Sequence, residues 1–183
     1  KHYTPILLSL CTLLLLARAF YGFCWSDETF YYSISYRFLQ GDAPFYEEWY
    51  PTQLNSIFLM PFVALFRLIS GGNTGMILAF RILYVLVSGM IAYYLQRVMK
   101  EETSAACAMA SSLLFLFYTH MNILTFSYYA VSCETAVLSM LFILRYLQFR
   151  ERKKHPECFL IASGIAFSVF ILSMPSMVLY YAF

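Results

Sequence analysis

From Pro5 to Cys24 the chain runs through an apolar stretch whose single charge is Arg18, and then meets the adjacent acids Asp27 and Glu28. A helix needs about 20 apolar residues to cross the hydrocarbon core of a bilayer, so this stretch is of spanning length and the acids fall where it would surface. Further stretches of the same kind lie at about 76–97, 104–124, 128–149 and from 157 to 183, against the first at about 5–24. The alternation of barrel strands is missing. The expected fold is therefore all-α, a polytopic helical membrane protein forming one transmembrane domain over residues 1–183. Composition agrees, with 61% hydrophobic and 12% charged residues, where soluble domains carry about 45–50% apolar residues. Because the chain opens on Lys1 and closes on Phe183 within an apolar run, it is expected to be a fragment of a longer protein.

Several other classes are disfavoured. Ile6 to Leu16 followed by Ala17-Arg18-Ala19 has the outline of a signal peptide, but the apolar character continues through Phe20, Tyr21 and Phe23, which favours a retained span. Five cysteines without CxxC spacing indicate neither a zinc site nor a disulfide framework. A net charge of +2, dispersed along the chain, gives no footprint for nucleic acid.

Positive charge sets the expected orientation. Arg97 and Lys100 follow the second span, and Arg150, Arg152, Lys153 and Lys154 follow the fourth, which places both sets in the cytoplasm. Parity then requires that about 52–69 not cross. That segment carries Pro61 and ends in Arg67 and Gly71-Gly72-Asn73, so it reads as an interfacial or re-entrant helix. The external loop is then about 25–75. Within it, Phe30, Tyr31, Ile34 and Phe38 recur at helical spacing, with Ser26 or Asp27 as N-cap and Gly41 as the stop, which predicts an amphipathic surface helix at about 27–40.

Ionisable residues within spans are costly, about 2.5–3.5 kcal/mol each on insertion scales, so they face a cavity or a partner. The orientation puts Arg18, Arg81, His120, Asn122 and Glu134 all in the outer half, on the side of Asp27. Simpler roles stand beside a shared site: Asp27 as a helix cap, Arg18 reaching to the interface, Arg81 paired with Glu134, His120 as a helix-end hydrogen-bonding residue, and Glu47 and Glu48 on a solvated loop face.

The residues Asp27-Glu28 after the first span, Gly41-Asp42, Pro51 opening the broken helix, Gly71-Gly72 and Arg81 together resemble the GT-C class of membrane glycosyltransferases, in the protein O-mannosyltransferase and lipid A aminoarabinose transferase branch. The resemblance implies transfer of a sugar from a polyprenyl-phosphate donor to a hydroxyl of an acceptor lipid, glycan or protein, at the outer face of a bacterial cytoplasmic membrane. It implies Asp27 as catalytic base with Glu28 in support, and Arg81 and Arg37 as donor phosphate contacts. His120, Glu47, Glu48 and Glu134 would support the site, Glu134 being the nearest counterpart of the family's acid in the second external loop. A divalent metal, Mg or Mn, would take Asp27 and Glu28 as its candidate ligands. Trp49 and Tyr50 suit either sugar stacking or interfacial anchoring. A transporter or lipid flippase, or an inactive scaffold of the same architecture, are the competing readings.

Overall fold

The computed structural model describes residues 3–22, 28–50, 52–152 and 156–176. Its described residues form seven α-helices and no strand: α1 Tyr3–Ala19, α2 Phe30–Gln40, α3 Gln53–Ser70, α4 Met76–Glu102, α5 Ala105–Phe117, α6 Tyr128–Glu151 and α7 Cys158–Ser173. Three of them, α3, α4 and α6, are long and apolar enough to cross a membrane. The shorter apolar helices α1, α5 and α7 fall below that length among the described residues.

The boundaries differ from expectation where tertiary bonding or proline intervenes. The segment expected to be helical to about residue 124 leaves the helix after Phe117, with Tyr118 extended. It then forms a short 3-10 turn over His120–Asn122 in which Met121 and Asn122 adopt left-handed backbone angles. The released connection is what lets Asn122, Thr125 and Phe126 reach other elements. Helix α7 stops at Ser173 because Pro175 disfavours helical geometry in the residue before it. Helix α2 begins at Phe30, flanked by Thr29 without a side-chain cap, so Ser26 and Asp27 do not directly precede it. Its stop is Gly41, in the left-handed conformation with its N–H directed to the carbonyls of Arg37 and Phe38.

Two clusters make the core. One joins α1 and α4 through Leu8, Cys11, Leu15, Tyr84, Val85 and Ala92, with Leu116 and Leu124. The other joins α2, α3 and the start of α4 through Tyr31, Tyr32, Leu59, Val63, Met76 and Phe80. Phe126 links them, edge-on to Phe80 at 6.5 Å and to Tyr84 at 5.7 Å. Helices α6 and α7 are stitched by Ser139 and Ser163, whose hydroxyls lie 2.9 Å apart and bond each other's backbone carbonyls, a contact that small side chains make possible.

Helix α1 lies close against α4 at Gly89. A Cβ there would sit 2.8 Å from the Thr12 methyl, and Thr12 is itself held by a 2.8 Å bond to the Leu8 carbonyl. Gly89→Leu is expected to lower stability by about 1–3 kcal/mol through overpacking. Thermal unfolding in detergent checks this, and adding Thr12→Ala should return part of the loss.

The bundle has two chemically distinct ends. At one, Arg145 and Arg152 both bond Glu101, at 2.5 and 2.6 Å, while Gln148 bonds Glu102 and the Val98 carbonyl. At the other, α1 finishes, α4 starts and the α5–α6 connection passes. The α2–α3 pair is fastened to this second end. Asn55, in the first turn of α3, donates to the Phe126 carbonyl at 3.4 Å, and Phe66, near its last turn, meets the Phe80 ring at 6.3 Å. Two points of α3, Asn55 and Phe66, are thus tied to the neighbourhood of Phe80 and Phe126, although the helix is long enough for a crossing.

Candidate functional site

Arg81 organises the end where α1 meets α4. One turn into α4, it presents Nε and Nη2 to the two carboxylate oxygens of Glu28, and Nη1 to the carbonyls of Ala19 and Gly22, each at 3.1 Å. Glu28 is 2% exposed. The planar guanidinium suits this task because its donors form a rigid fork matching a carboxylate edge. Arg81 therefore ties the loop acid to the end of the first helix. Glu134, the other partner its position in the sequence suggests, lies elsewhere. Asp27, the expected base, falls outside the described residues, immediately before the fixed Glu28.

Glu134 occupies the second turn of α6, buried, and accepts a 2.6 Å bond from the Ser88 hydroxyl. Arg81, Tyr84 and Ser88 recur at helical spacing, so one face of α4 serves Glu28 at its top and Glu134 two turns below. Tyr84 lines the same small polar recess as Ser88 and Glu134, together with Tyr118, His120, Ser127 and Cys133. His120 stacks on Tyr129 with ring centres 3.8 Å apart, and its buried Nε2 has no hydrogen-bond partner among the described residues.

On its other side Glu134 borders an apolar groove of about 270 Å³ between α3, α4 and α6, walled by Phe58, Phe62, Phe80, Leu83, Val87 and Leu138 among others. Among the described residues Glu134 is the single ionisable side chain in that wall.

Arg37, Glu47 and Glu48 separate from this group. Arg37, in the last turn of α2, bonds Asp42 at 2.5 Å and also Glu48, so its charge is met by two carboxylates within the loop. Glu47 accepts from the Ala43 N–H at 2.6 Å. Arg18, which the sequence places either in the outer-half polar group or at the interface, directs its guanidinium to the Asn122 side chain, a neutral partner. No carboxylate pairs with Arg18 among the described residues. The sequence brings Arg18 and Asn122 together only as members of the outer-half group; their pairing depends on left-handed backbone at Met121 and Asn122 that sequence does not announce.

The α2 helix is locked to the same end by Tyr32, whose hydroxyl pairs with that of Thr125, a fully buried residue. Burial pushes the Tyr32 hydroxyl well above its ordinary pKa, with the Thr125 bond opposing the shift. The folded state therefore holds this proton more tightly than the unfolded chain. That contribution is complete below the ordinary tyrosine value of about 10 and is lost as pH rises beyond it. Tyr32→Phe is expected to cost about 1–3 kcal/mol by orphaning the Thr125 hydroxyl, and to flatten the alkaline limb of a stability-versus-pH curve.

Asp27, one of the two candidate metal ligands, lies outside the described residues. Those residues contain no group of three His, Cys, Asp or Glu side chains placed to hold a divalent metal, and Glu28 gives both oxygens to Arg81. No family model matches the chain, and neither the curated proteins nor the solved structures gave a match.

Proposed function

We propose that this is a membrane glycosyltransferase that moves a sugar from a polyprenyl-phosphate donor to an acceptor hydroxyl at the extracytoplasmic face. The observation that supports this reading is the meeting, at one end of the bundle, of a polar group of Arg18, Glu28, Arg81, His120, Asn122 and Glu134 with an apolar groove of about 270 Å³. A lipid-linked substrate needs both surfaces, one for its hydrocarbon tail and one for its charged head.

In this reading the tail lies in the groove between α3, α4 and α6. Asp27 takes the acceptor proton as the acceptor oxygen attacks the anomeric carbon, and the bond from that carbon to the phosphate oxygen breaks, releasing polyprenyl phosphate. Arg18, whose partner among the described residues is the neutral Asn122, is the cation we assign to the departing phosphate. Arg81 acts as a positioning residue: it fixes Glu28, the residue after Asp27 in sequence, and the end of α1. Arg37, saturated by Asp42 and Glu48, orders the loop.

A lipid flippase would use the same groove without cleaving the donor. Purified protein in liposomes, given a polyprenyl-phosphate sugar labelled in the sugar, separates the two. Release of unglycosylated polyprenyl phosphate in the presence of acceptor supports transfer. An intact donor that changes leaflet overturns it in favour of transport.

A further inference from the structure

Residues 42–50 form the tip of the loop between α2 and α3, and three aromatic side chains project from it: Phe45 at 59% exposure, Tyr46 at 79% and Trp49 at 86%. Their backbone is held in place. Phe45 has a φ of 64°, left-handed geometry that a bulky residue adopts only under constraint. The constraint is Gln53, buried in the first turn of α3, whose Oε1 accepts from the Phe45 N–H at 2.8 Å. The Gln53 Nε2 donates to the carbonyls of Glu48 and Tyr50, both at 3.1 Å. Arg37 draws in Asp42 and Glu48, and Glu47 bonds the Ala43 N–H. The charges of the tip are thus engaged within the loop while its rings face outward.

We propose that this tip is a preformed aromatic wedge that seats Phe45, Tyr46 and Trp49 in the headgroup layer of the membrane and fixes the height of the α2–α3 pair above the bundle. Tyr46 and Trp49, rings with a polar edge, favour that layer, where one part is apolar and the other wet, and Phe45 adds apolar area beside them. Continuity supports a lipid occupant. Helix α3 starts at the Gln53 latch and carries Phe58, Phe62, Leu65, Leu68 and Ile69 exposed along its length. A sugar platform would need polar groups beside the rings to bond hydroxyls, and here Gln53, Glu47, Glu48 and Asp42 are occupied internally. The inference does not depend on the glycosyltransferase reading, since a flippase would need the same anchoring.

Trp49 reports on its own surroundings once Trp25→Phe removes the other tryptophan of the chain. In lipid nanodiscs its emission is expected to be blue-shifted and largely lost when the lipid carries bromine near the headgroup, with little quenching by aqueous iodide. Strong iodide quenching with no response to brominated lipid would overturn the proposal. A blue shift produced by a soluble oligosaccharide, without a lipid effect, would overturn it in favour of a glycan platform. Gln53→Ala tests the latch: fluorescence anisotropy should fall and iodide access rise while helical content, by circular dichroism, holds. Unchanged anisotropy and access in that variant would remove Gln53 as the element that preforms the wedge.

Discussion

Replacing Arg81 with alanine is expected to lower stability by about 3–5 kcal/mol, the range for breaking a buried ion pair by removing one partner. The reason is what stays behind. Glu28 is almost fully buried, and both of its oxygens take their bonds from Arg81. The carbonyls of Ala19 and Gly22 lose their donor in the same step. Arg81→Lys keeps the charge but not the fork, and should fall between the two. Removing both partners, as in Glu28→Gln with Arg81→Met, should recover much of the loss because no charge is left stranded. Thermal unfolding of the purified protein in detergent or nanodiscs measures all three. A loss below about 1 kcal/mol for Arg81→Ala would mean that the pair behaves as a screened surface contact.

Asp27→Asn is expected to reduce sugar transfer by about 10²- to 10⁴-fold, the contribution of a positioned general base, while leaving thermal stability near wild type. The neighbouring Glu28→Gln is expected to do the reverse in emphasis, since Glu28 serves the Arg81 fork: stability falls first, and activity only as a consequence. This contrast between adjacent carboxylates is a sharper test than either variant alone. Activity near wild type in Asp27→Asn would remove that residue from the mechanism. Equal losses of stability in both variants would make the pair a structural unit.

Much of the local architecture is legible in the sequence because it rests on short-range rules. The spacing of Tyr31, Ile34 and Phe38 marks α2 and its buried face, and Gly41 marks its end. The break at Gly71 likewise marks where α3 stops, with Gly71 left-handed and its N–H on the Arg67 carbonyl. What the sequence withholds depends on contacts between distant segments. The position of Arg81 in the chain suggests a phosphate contact or a partner of Glu134, but its carboxylate is Glu28, reached only when α1 and α4 pack side by side. The early end of α5 has the same origin. Residues Tyr118 to Ser127 are apolar enough to extend a helix, yet Asn122, Thr125 and Phe126 bond Arg18, Tyr32 and Asn55 instead. Periodicity cannot report a helix given up for tertiary hydrogen bonds. For α3 the two kinds of signal pull apart: its length and apolarity suit a crossing, while its contacts at Asn55 and Phe66 tie it to the neighbourhood of Phe80 and Phe126.

That last point decides whether the loop roofs an outward-facing site, and site-directed labelling tests it directly. In a variant with its native cysteines replaced, Asp42→Cys reports on the connection before α3 and Asn73→Cys on the connection after it. Both are expected to react with a membrane-impermeant maleimide in intact cells. Reaction of one from outside and of the other only after permeabilisation would mean that α3 threads the bilayer, and would contradict the shared extracytoplasmic site.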